Sequence, residues 1–233
     1  MQRKISIVIP TYNEALNIKI LISEIFSELK KAKISGELII VDDNSPDGTG
    51  KIADKLSKKY NIKVIHRAGK LGLGSAVSEG FKKAKNKIIG VMDADLSHPP
   101  KIIPKLAEPL IKDEADFVIG SRYERGGGIE KWPLHRKMVS NIAKLMSRPL
   151  TNAGDPMSGF FFLKKDILKG VNLQHKGYKI CLEILVKAKY KKLKEVPYIF
   201  RNREIGQSKL GIGEYKNYIK NLFSLLLYKI TKK

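Results

Sequence analysis

Residues Ile88 to Asp95 read IIGVMDAD, an apolar run that ends in two acids. Its apolar residues are typical of a buried strand, and the strand ends in two carboxylates, Asp93 and Asp95, two positions apart. Side chains two apart in a strand point to the same side, and ligands of open α/β sheets bind at the carboxyl ends of strands. Two acids directed at one point repel each other unless a cation lies between them, and Mg²⁺ takes one or two carboxylates plus phosphate oxygens. The stretch favours a metal–nucleotide site, although an isolated Asp-x-Asp pair also fits a surface turn.

Around this stretch, the first 120 residues alternate between strand-like and helix-like patterns. The spacing of apolar residues predicts helices over Asn13–Ala32, Thr49–Tyr60 and Ser75–Lys85. Apolar runs predict strands at Ile5–Pro10, Glu37–Val41, Ile62–Ile65, Ile88–Met92 and Phe117–Gly120. Apolar strands joined by helical crossovers predict an α/β architecture with a mostly parallel central sheet that is covered on both faces.

After Ser121 the pattern is less regular. The glycines Gly126–Gly128 predict a mobile loop. The later elements are expected to be a helix at His135–Ser147, a strand at Phe160–Leu163, a helix at Ile180–Ala188, a strand at Leu193–Phe200, a basic loop at Arg201–Gly213 and a final helix at Glu214–Ile230.

The chain is strongly basic, with 45 Lys and Arg against 23 Asp and Glu and a formal net charge of +22. Such a field attracts polyanions, so nucleic acid, an anionic membrane, or a nucleotide with a lipid phosphate are the candidate partners. Neither zinc-finger spacing nor an RNA-binding aromatic signature is present, which argues against nucleic acid. Much of the lysine is spread along the chain and also fits solvated helix faces.

Cysteine content and hydropathy bound the cellular setting. Cys181 is the single cysteine, which excludes an internal disulfide framework and favours a reducing compartment. No run of 18 or more apolar residues exists, so no transmembrane helix is expected. The segment from Met1 to Pro10 has a strand pattern rather than that of a signal peptide.

Polar residues also follow two other predicted strands. Tyr12 and Glu14 come after the first strand, and Asp42 ends the second. In a parallel sheet these ends and the Asp93-Ala94-Asp95 turn share one edge. Tyr12 can stack on a ring, and Glu14 and Asp42 can accept hydrogen bonds from a base or a ribose. Their joint position predicts a site for a nucleotide substrate.

Ordered motifs along most of the chain resemble those of inverting family-two glycosyltransferases of the GT-A (Rossmann-like) fold, and among them the dolichyl-phosphate (polyprenyl-phosphate) mannosyltransferases. The resemblance runs from Ile5 to about Gly213. The motifs that carry it are Pro10–Glu14, Val41–Ser45, Leu71–Gly74, Asp93–Pro100, Gly120–Tyr123 with Gly126–Gly128, Trp132-Pro133, Arg136, Ser140, Asp155–Phe160 and Gly177–Lys179.

This resemblance implies transfer of mannose from GDP-mannose to a dolichyl or other polyprenyl phosphate, with Mg²⁺ or Mn²⁺ as cofactor. The acceptor phosphate is already an anion and can attack the anomeric carbon without a strong general base. A single displacement inverts that carbon, whereas a retaining route would need a carboxylate nucleophile beside it.

The resemblance also assigns roles to residues. The guanosine pocket would be lined by Pro10, Tyr12, Glu14, Ile40 and Asp42. Asp93, Ala94 and Asp95 would hold the diphosphate and metal, with Asp95 the principal ligand and Ser97 a weaker one, at a position where some relatives carry Gln. Donor or acceptor phosphates would be bound by Arg122, Arg136, Lys179, Arg203 and Lys209, and the catalytic set would be Asp93, Asp95, Arg122 and Arg136. Surface pairing with Glu124 and Glu130 is the alternative for Arg122 and Arg136.

The predicted domain organisation is a GT-A domain over residues 1–213 and a basic amphipathic helix over residues 214–233. Such a helix fits a membrane-surface anchor, and it equally fits a helix packed on the core. The expected location is peripheral, on the cytoplasmic face of a membrane. The anionic membrane surface is then a partner, together with a possible separate membrane subunit.

Three other functions remain open at this point. The same fold could transfer glucose from UDP-glucose to a polyprenyl phosphate. The charge of +22 also fits a non-catalytic protein that binds polyanions. A third alternative is a regulatory subunit that binds a nucleotide without turnover.

Overall fold

A computed structural model describes residues 3–130, 132–173, 179–202 and 212–231, without the side chains of residues 135 and 212–216. Within these ranges the strands are β1 (Lys4–Thr11), β2 (Ser35–Asp42), β3 (Ile62–His66), β4 (Ile88–Val91), β5 (Phe117–Ser121), β6 (Gly128–Ile129), β7 (Phe161–Lys164), β8 (Leu193–Pro197) and β9 (Ile199–Phe200). The helices are α1 (Ala15–Lys31), α2 (Thr49–Ser57), α3 (Leu73–Lys83), α4 (Ile103–Ile111), α5 (Leu134–Met146), α6 (Ile180–Lys187) and α7 (Ile212–Thr231).

The central sheet has the strand order β3-β2-β1-β4-β7-β5-β8. Strands β1, β2, β3 and β4 pair in parallel, and β5 pairs in parallel with β8. Strand β7 runs antiparallel between β4 and β5. A small second sheet pairs β6 with β9. The predicted α/β fold with a mostly parallel sheet is confirmed.

Helices cover both faces of the sheet because alternate strand residues are apolar in both directions. Ile7 in β1 packs on one face with residues of α1 and α4. Its neighbour Val8 packs on the other face with residues of α3 and α6. Side chains alternate across a strand, so continuous apolar runs supply two core layers at once.

Helix α7 packs on the body of the protein through a third cluster. Its Leu222 and Leu225 are buried against Leu150, Met157 and Leu182. Within the described parts of the chain, no helix combines the length and hydropathy needed to cross a bilayer.

Three features differ from the sequence expectation. Helix α4 was not predicted, because Pro109 lies inside it and proline usually argues against a helix interior. Pro104 lies in the first turn, where proline is favoured. The expected strand over Leu193–Phe200 divides at Tyr198, where β8 leaves the main sheet and β9 joins β6. The segment expected to be a mobile loop contains Gly128, which begins strand β6.

Candidate active site at the carboxyl edge of the sheet

The strand order brings the predicted site residues to one edge. In the register, Thr11 at the end of β1 pairs with Asp42 at the end of β2. At the end of β4, Val91 pairs with Phe161 at the start of β7. Because β7 is antiparallel, the residues before Phe161 reach the edge where its neighbours end. The Asp93–Asp95 turn therefore lies between the β1 end and the segment that leads into β7.

Asp42 is buried and holds the turn that follows β2. Its carboxylate accepts hydrogen bonds from Thr11 Oγ1 at 2.9 Å, Ser45 Oγ at 2.6 Å and the Ser45 N–H at 3.0 Å. A carboxylate has about four acceptor positions. These three bonds fix its orientation and leave about one acceptor position.

Asp43 is the partner of a buried arginine. Arg67 Nη1 lies 2.6 Å from Asp43 Oδ1, and the other carboxylate oxygen accepts the N–H groups of Leu71 and Gly72 at 3.1 and 3.0 Å. Gly72 has φ +97°, a conformation that glycine adopts without strain. The Asp43–Arg67 pair thus fastens the loop before α3 to the end of β2.

Of the residues predicted to bind guanosine, four lie at the ends of β1 and β2, and Ile40 is buried in the core. Lys70 Nζ is 4.7 Å from the centre of the Tyr12 ring, so a cation stands over that ring. The backbone N–H of Glu14 donates to Thr49 Oγ1 at 2.9 Å, and its carboxylate accepts Asn17 Nδ2 at 2.8 Å. Pro10 is partly buried in β1. Ile40 is fully buried in the core, so its side chain faces other apolar residues rather than a ligand.

Asp95 and Ser97 form a hydrogen-bonded turn. Asp95 Oδ1 accepts the Ser97 hydroxyl at 2.6 Å and the Ser97 N–H at 3.1 Å. Both residues are buried, as is Ala94, whose side chain belongs to the core. The Ser97 hydroxyl, expected as a metal ligand, here orients the Asp95 carboxylate.

Asp93 is more accessible and is positioned by His98. The Asp93 N–H donates to His98 Nδ1 at 3.0 Å. A neutral imidazole whose Nδ1 accepts carries its proton on Nε2, and that nitrogen lies 3.8 Å from Asp93 Oδ2. The buried His98 ring stacks on Phe160 with centroids 4.9 Å apart.

Gly159 leaves the space that the Asp93 carboxylate occupies. A Cβ atom at Gly159 would lie 3.1 Å from Asp93 Oδ2 and 3.2 Å from His98 Cε1. Both contacts are tighter than ordinary packing. The segment before β7 therefore has no side chain at the point where it passes the acid.

Arg122 uses two of its guanidinium nitrogens to bind a buried carboxylate. Its Nε and Nη2 donate to the two oxygens of Asp155, each at 2.7 Å, and its backbone N–H donates to Asp155 Oδ2 at 3.0 Å. Asp155 is fully buried. Burial disfavours the charged guanidinium, but the charge and hydrogen bonds of Asp155 outweigh it and raise the pKa of Arg122. Arg122 therefore pairs with the buried Asp155, and not with Glu124 on the surface, the alternative considered from the sequence.

Arg136 lies over an aromatic ring near the start of α5. Its Cζ is 4.1 Å from the centroid of Trp132, a cation–π contact. Trp132 meets Phe200 edge-on at 5.3 Å, and Phe200 meets His98 edge-on at 5.9 Å. A chain of ring contacts therefore connects Arg136 to the histidine that positions Asp93.

The remaining predicted phosphate ligands lie at the limits of the described chain. Lys179 is the residue before α6. Arg203 and Lys209 lie outside the described residues. Arg201, which comes shortly before them, donates its backbone N–H to the carbonyl of Ser97 at 3.3 Å. The basic segment after β9 thus begins against the acidic turn.

The donor set at this edge fits a hard divalent cation. Asp93 and Asp95 supply carboxylate oxygens, which suit Mg²⁺ and Mn²⁺. Among the residues that the structure describes, no group of three or more His, Cys, Asp and Glu side chains could hold a metal by itself. Two carboxylates completed by phosphate oxygens and water match the usual coordination of Mg²⁺ at nucleotide sites.

Four residues of this edge were not assigned a role from the sequence: Asp43, His98, Asp155 and Gly159. The signals were present but ambiguous. His98 follows Asp95 by three positions, and Asp155 and Gly159 both precede a predicted buried strand. Only the strand order shows that they meet Asp93 and Arg122.

Comparisons with known proteins identify a family and several relatives. The family model described as "Glycosyl transferase family 2" matches residues 6–171. A dolichol-phosphate mannosyltransferase of Saccharomyces cerevisiae is 43% identical over 241 residues, covering 98% of this chain and 89% of the relative. A dolichol-phosphate mannosyltransferase of Pyrococcus furiosus is 45% identical over 227 residues. That match covers 96% of this chain, which spans only 64% of the archaeal relative.

Solved structures show the same fold at low sequence identity. Mannosyl-3-phosphoglycerate synthase from Rubrobacter xylanophilus aligns with a TM-score of 0.68 at 17% identity, covering 99% of this chain and 75% of that one. The mannosyltransferase PcManGT from Pyrobaculum calidifontis, in complex with GDP-Man and Mn²⁺, aligns with a TM-score of 0.64 at 15% identity, covering 98% of this chain and 64% of that one. The fold is GT-A. The chain belongs to glycosyl transferase family 2, as a relative of the dolichol-phosphate mannosyltransferases.

Proposed function

We propose that this protein transfers mannose from GDP-mannose to dolichyl phosphate or another polyprenyl phosphate, with inversion at the anomeric carbon. The observation that carries the proposal is the pair Asp93 and Asp95 at the end of β4, in a chain 43% identical to a curated dolichol-phosphate mannosyltransferase. The PcManGT complex with GDP-Man and Mn²⁺ adds support for the donor and for a divalent metal.

The donor nucleotide would lie along the ends of β1 and β2. Tyr12 and Glu14 contact the base or ribose, and the fixed Asp42 carboxylate shapes the turn beneath them. Pro10 contributes through the backbone at the end of β1. Because the Ile40 side chain is in the core, its contribution is to pack beneath the pocket rather than to line it.

A divalent cation, Mg²⁺ or Mn²⁺, would neutralise charge on the leaving diphosphate. Asp95 and Asp93 are the residues that would hold it. Ser97 orients Asp95 through two hydrogen bonds, and His98 and Gly159 fix the position of Asp93. Outer-shell groups of this kind raise metal affinity by preventing reorientation of the ligands.

The acceptor phosphate would be bound by Arg136, Lys179, Arg203 and Lys209. Arginine suits this task because its planar fork binds phosphate oxygens in pairs. Arg122 is committed to Asp155. Its role in this proposal is to hold the segment that leads from Asp155 toward Gly159, not to bind phosphate.

The reaction is a single displacement. A phosphate oxygen of the acceptor forms the bond to the anomeric carbon of mannose, while the bond from that carbon to the GDP oxygen breaks and GDP leaves with the electron pair. No proton has to be removed, since the attacking oxygen is already anionic. The basic residues bring two negatively charged reactants together, which is a contribution of positioning and electrostatics.

The lipid acceptor places the reaction at a membrane surface. We propose that the protein works there as a peripheral protein on the cytoplasmic face, held by an anionic leaflet or by a separate membrane subunit. The net charge of +22 supports the electrostatic part of this attachment.

A binding titration separates this proposal from its alternatives. We expect GDP and GDP-mannose to bind the protein in the presence of Mn²⁺ or Mg²⁺ and to lose affinity when the metal is chelated. UDP-glucose binding in preference to GDP-mannose would favour the glucosyltransferase alternative. Metal-independent binding of polyanions, with retardation of nucleic acid at physiological salt, would favour a non-catalytic protein.

A further inference from the structure

Helix α5 exposes its apolar face, whereas a helix packed on a core buries that face. None of its described side chains is buried, yet its large apolar residues are well exposed: Leu134 by 74%, Met138 by 57%, Ile142 by 55% and Leu145 by 70%. Surface helices normally turn their apolar stripe inward. An unburied apolar stripe of this size marks an interaction surface.

The polar side of α5 is the side that contacts the protein. Ser140 Oγ is hydrogen-bonded to the Tyr123 hydroxyl at 2.8 Å, Arg136 stacks on Trp132, and Lys144 Nζ lies 4.0 Å from the centre of the Tyr123 ring. These contacts fix the rotation of the helix. The exposed stripe is therefore a built feature of the fold.

Helix α7 shows a second stripe with the same spacing. Its exposed large apolar residues are Ile219, Phe223, Leu227 and Ile230, at intervals of four, four and three, as in Leu134, Met138, Ile142 and Leu145. The adjacent face of α7 is buried through Leu222 and Leu225. The helix thus both packs on the body of the protein and retains an unpartnered apolar stripe.

The two helices are joined to each other. The Tyr218 hydroxyl of α7 donates to the carbonyl of Ala143 in α5 at 2.6 Å. Farther along α7, Lys229 Nζ donates to the carbonyls of Pro149 and Leu150, just after α5, at 2.9 and 3.1 Å. These bonds join α7 to the last turn of α5 and to the segment that follows α5.

The excess of basic residues in α5 and α7 indicates what kind of surface the two stripes bind. In sequence the two helices contain one acid and six basic residues. Of the basic side chains, Arg136, Lys144 and Lys229 contact the protein itself, and those of Lys137 and Lys220 are exposed. A second copy of a chain with net charge +22 would be repelled by this surface. An anionic bilayer complements it, because apolar side chains enter the acyl boundary while lysines meet the headgroups.

We propose that α5 and α7 together form a bilayer-docking surface, with both helices lying in the headgroup region of an anionic leaflet. The proposal rests on the proposed function only in that the acceptor is a membrane lipid. Docking itself requires neither donor nor turnover. The proposal adds α5 to the membrane-binding surface, beside the C-terminal basic helix α7.

The test is vesicle sedimentation of the full chain with three matched double variants. Met138→Asp/Ile142→Asp changes the α5 stripe, and Phe223→Asp/Leu227→Asp changes the α7 stripe. The control, Leu16→Asp/Ile20→Asp, changes two exposed apolar residues at the same spacing on α1. Vesicles contain phosphatidylcholine with phosphatidylglycerol, or phosphatidylcholine alone.

We expect the wild type and the α1 control to bind the anionic vesicles, more weakly at high salt, and each stripe variant to bind at least about tenfold less, since each loses two inserted side chains. Unchanged melting temperature and GDP binding would show that the variants are folded. Wild-type affinity in the α5 variant, or an equal loss in the α1 control, would overturn the proposal. So would a wild-type dimer that the α5 variant dissociates without any vesicle binding by either protein.

A second readout keeps docking separate from the proposed function. The α5 variant should retain mannosyl transfer to a short-chain polyprenyl phosphate in detergent, where no bilayer has to be reached. Vesicle binding without transfer to any acceptor would contradict the proposed function alone. Transfer in detergent by a protein that ignores anionic vesicles would contradict the docking surface alone.

Discussion

Arg122 and Asp155 form a buried, two-pronged ion pair in which both guanidinium–carboxylate distances are 2.7 Å. The pair connects the end of β5 to the segment that leads into β7, 33 residues farther along the chain. That segment carries Gly159, which lies against Asp93. The pair therefore supports the wall of the site, and we propose that Arg122 acts mainly through this support.

Arg122→Met should lower the free energy of unfolding by about 3–5 kcal/mol, because it leaves the Asp155 carboxylate buried without its counter-charge. Urea denaturation measures this loss. A double variant, Arg122→Met with Asp155→Leu, should recover part of the stability, since removal of both charges abolishes the unpaired one. Arg136→Met serves as the comparison and should leave stability nearly unchanged.

One outcome would contradict the structural role of Arg122. If Arg122→Met loses less than about 1 kcal/mol of stability yet abolishes transfer, then Arg122 binds a phosphate and the assignment to Arg136 and Lys179 needs revision.

Ser97→Ala should weaken Mn²⁺-supported binding of GDP-mannose by about 10- to 100-fold, the usual effect of removing an outer-shell contact to a metal ligand. Asp95→Asn should exceed that loss because it removes the ligand itself. Calorimetry with and without Mn²⁺ measures both. Equal affinities for wild type and Ser97→Ala would show that the hydrogen bond to Asp95 does not affect the metal site.

Gly159→Ala should reduce kcat/KM by about tenfold or more, because its Cβ would displace the Asp93 carboxylate or the His98 ring. Gly128→Ala is the matched control, since a Cβ there meets no atom within 4 Å. Steady-state kinetics of both variants tests the point. Equal rates for the two variants would mean that the position of Asp93 is not set by this contact.

Acid sensitivity should arise in part from Asp116, far from the proposed chemistry. Its hydrogen bond from Lys164 lowers the pKa of Asp116 to about 2, although burial opposes the shift. A depressed native pKa means that the unfolded state binds the proton first, so this contribution is present above about pH 4 and is lost as the pH falls toward about 2. Unfolding measured across that window should be less steep in pH for Asp116→Asn. Lys164→Met should show the same change, and an unchanged slope in both variants would contradict this account.

The first half of the fold could be predicted from the sequence because its information is local. Apolar runs such as Ile5–Pro10 and Ile88–Met92 correspond closely to β1 and β4, and the helices between them follow helical spacing. Parallel pairing then places Tyr12, Asp42 and Asp93 on one edge without knowledge of distant contacts.

The second half depends on contacts between residues far apart in sequence. The antiparallel insertion of β7 between β4 and β5 cannot be inferred from the short run Phe160–Leu163, yet it brings Gly159 to Asp93. The partner of Arg122 was missed for the same reason. The turn geometry that directs the Ser97 hydroxyl to Asp95 also depends on backbone conformation, since Leu96 has φ +62°.

We propose that the paired acids at the end of β4 support transfer of mannose to a lipid phosphate. The most direct measurement is transfer of radiolabelled mannose from GDP-mannose to a short polyprenyl phosphate, comparing wild type with Asp95→Asn in the presence of Mn²⁺. We expect lipid-linked label with wild type and a loss of at least about 100-fold with Asp95→Asn, above the loss expected for an outer-shell contact. Wild-type rates in the variant, or label transferred only from UDP-glucose, would contradict this proposal.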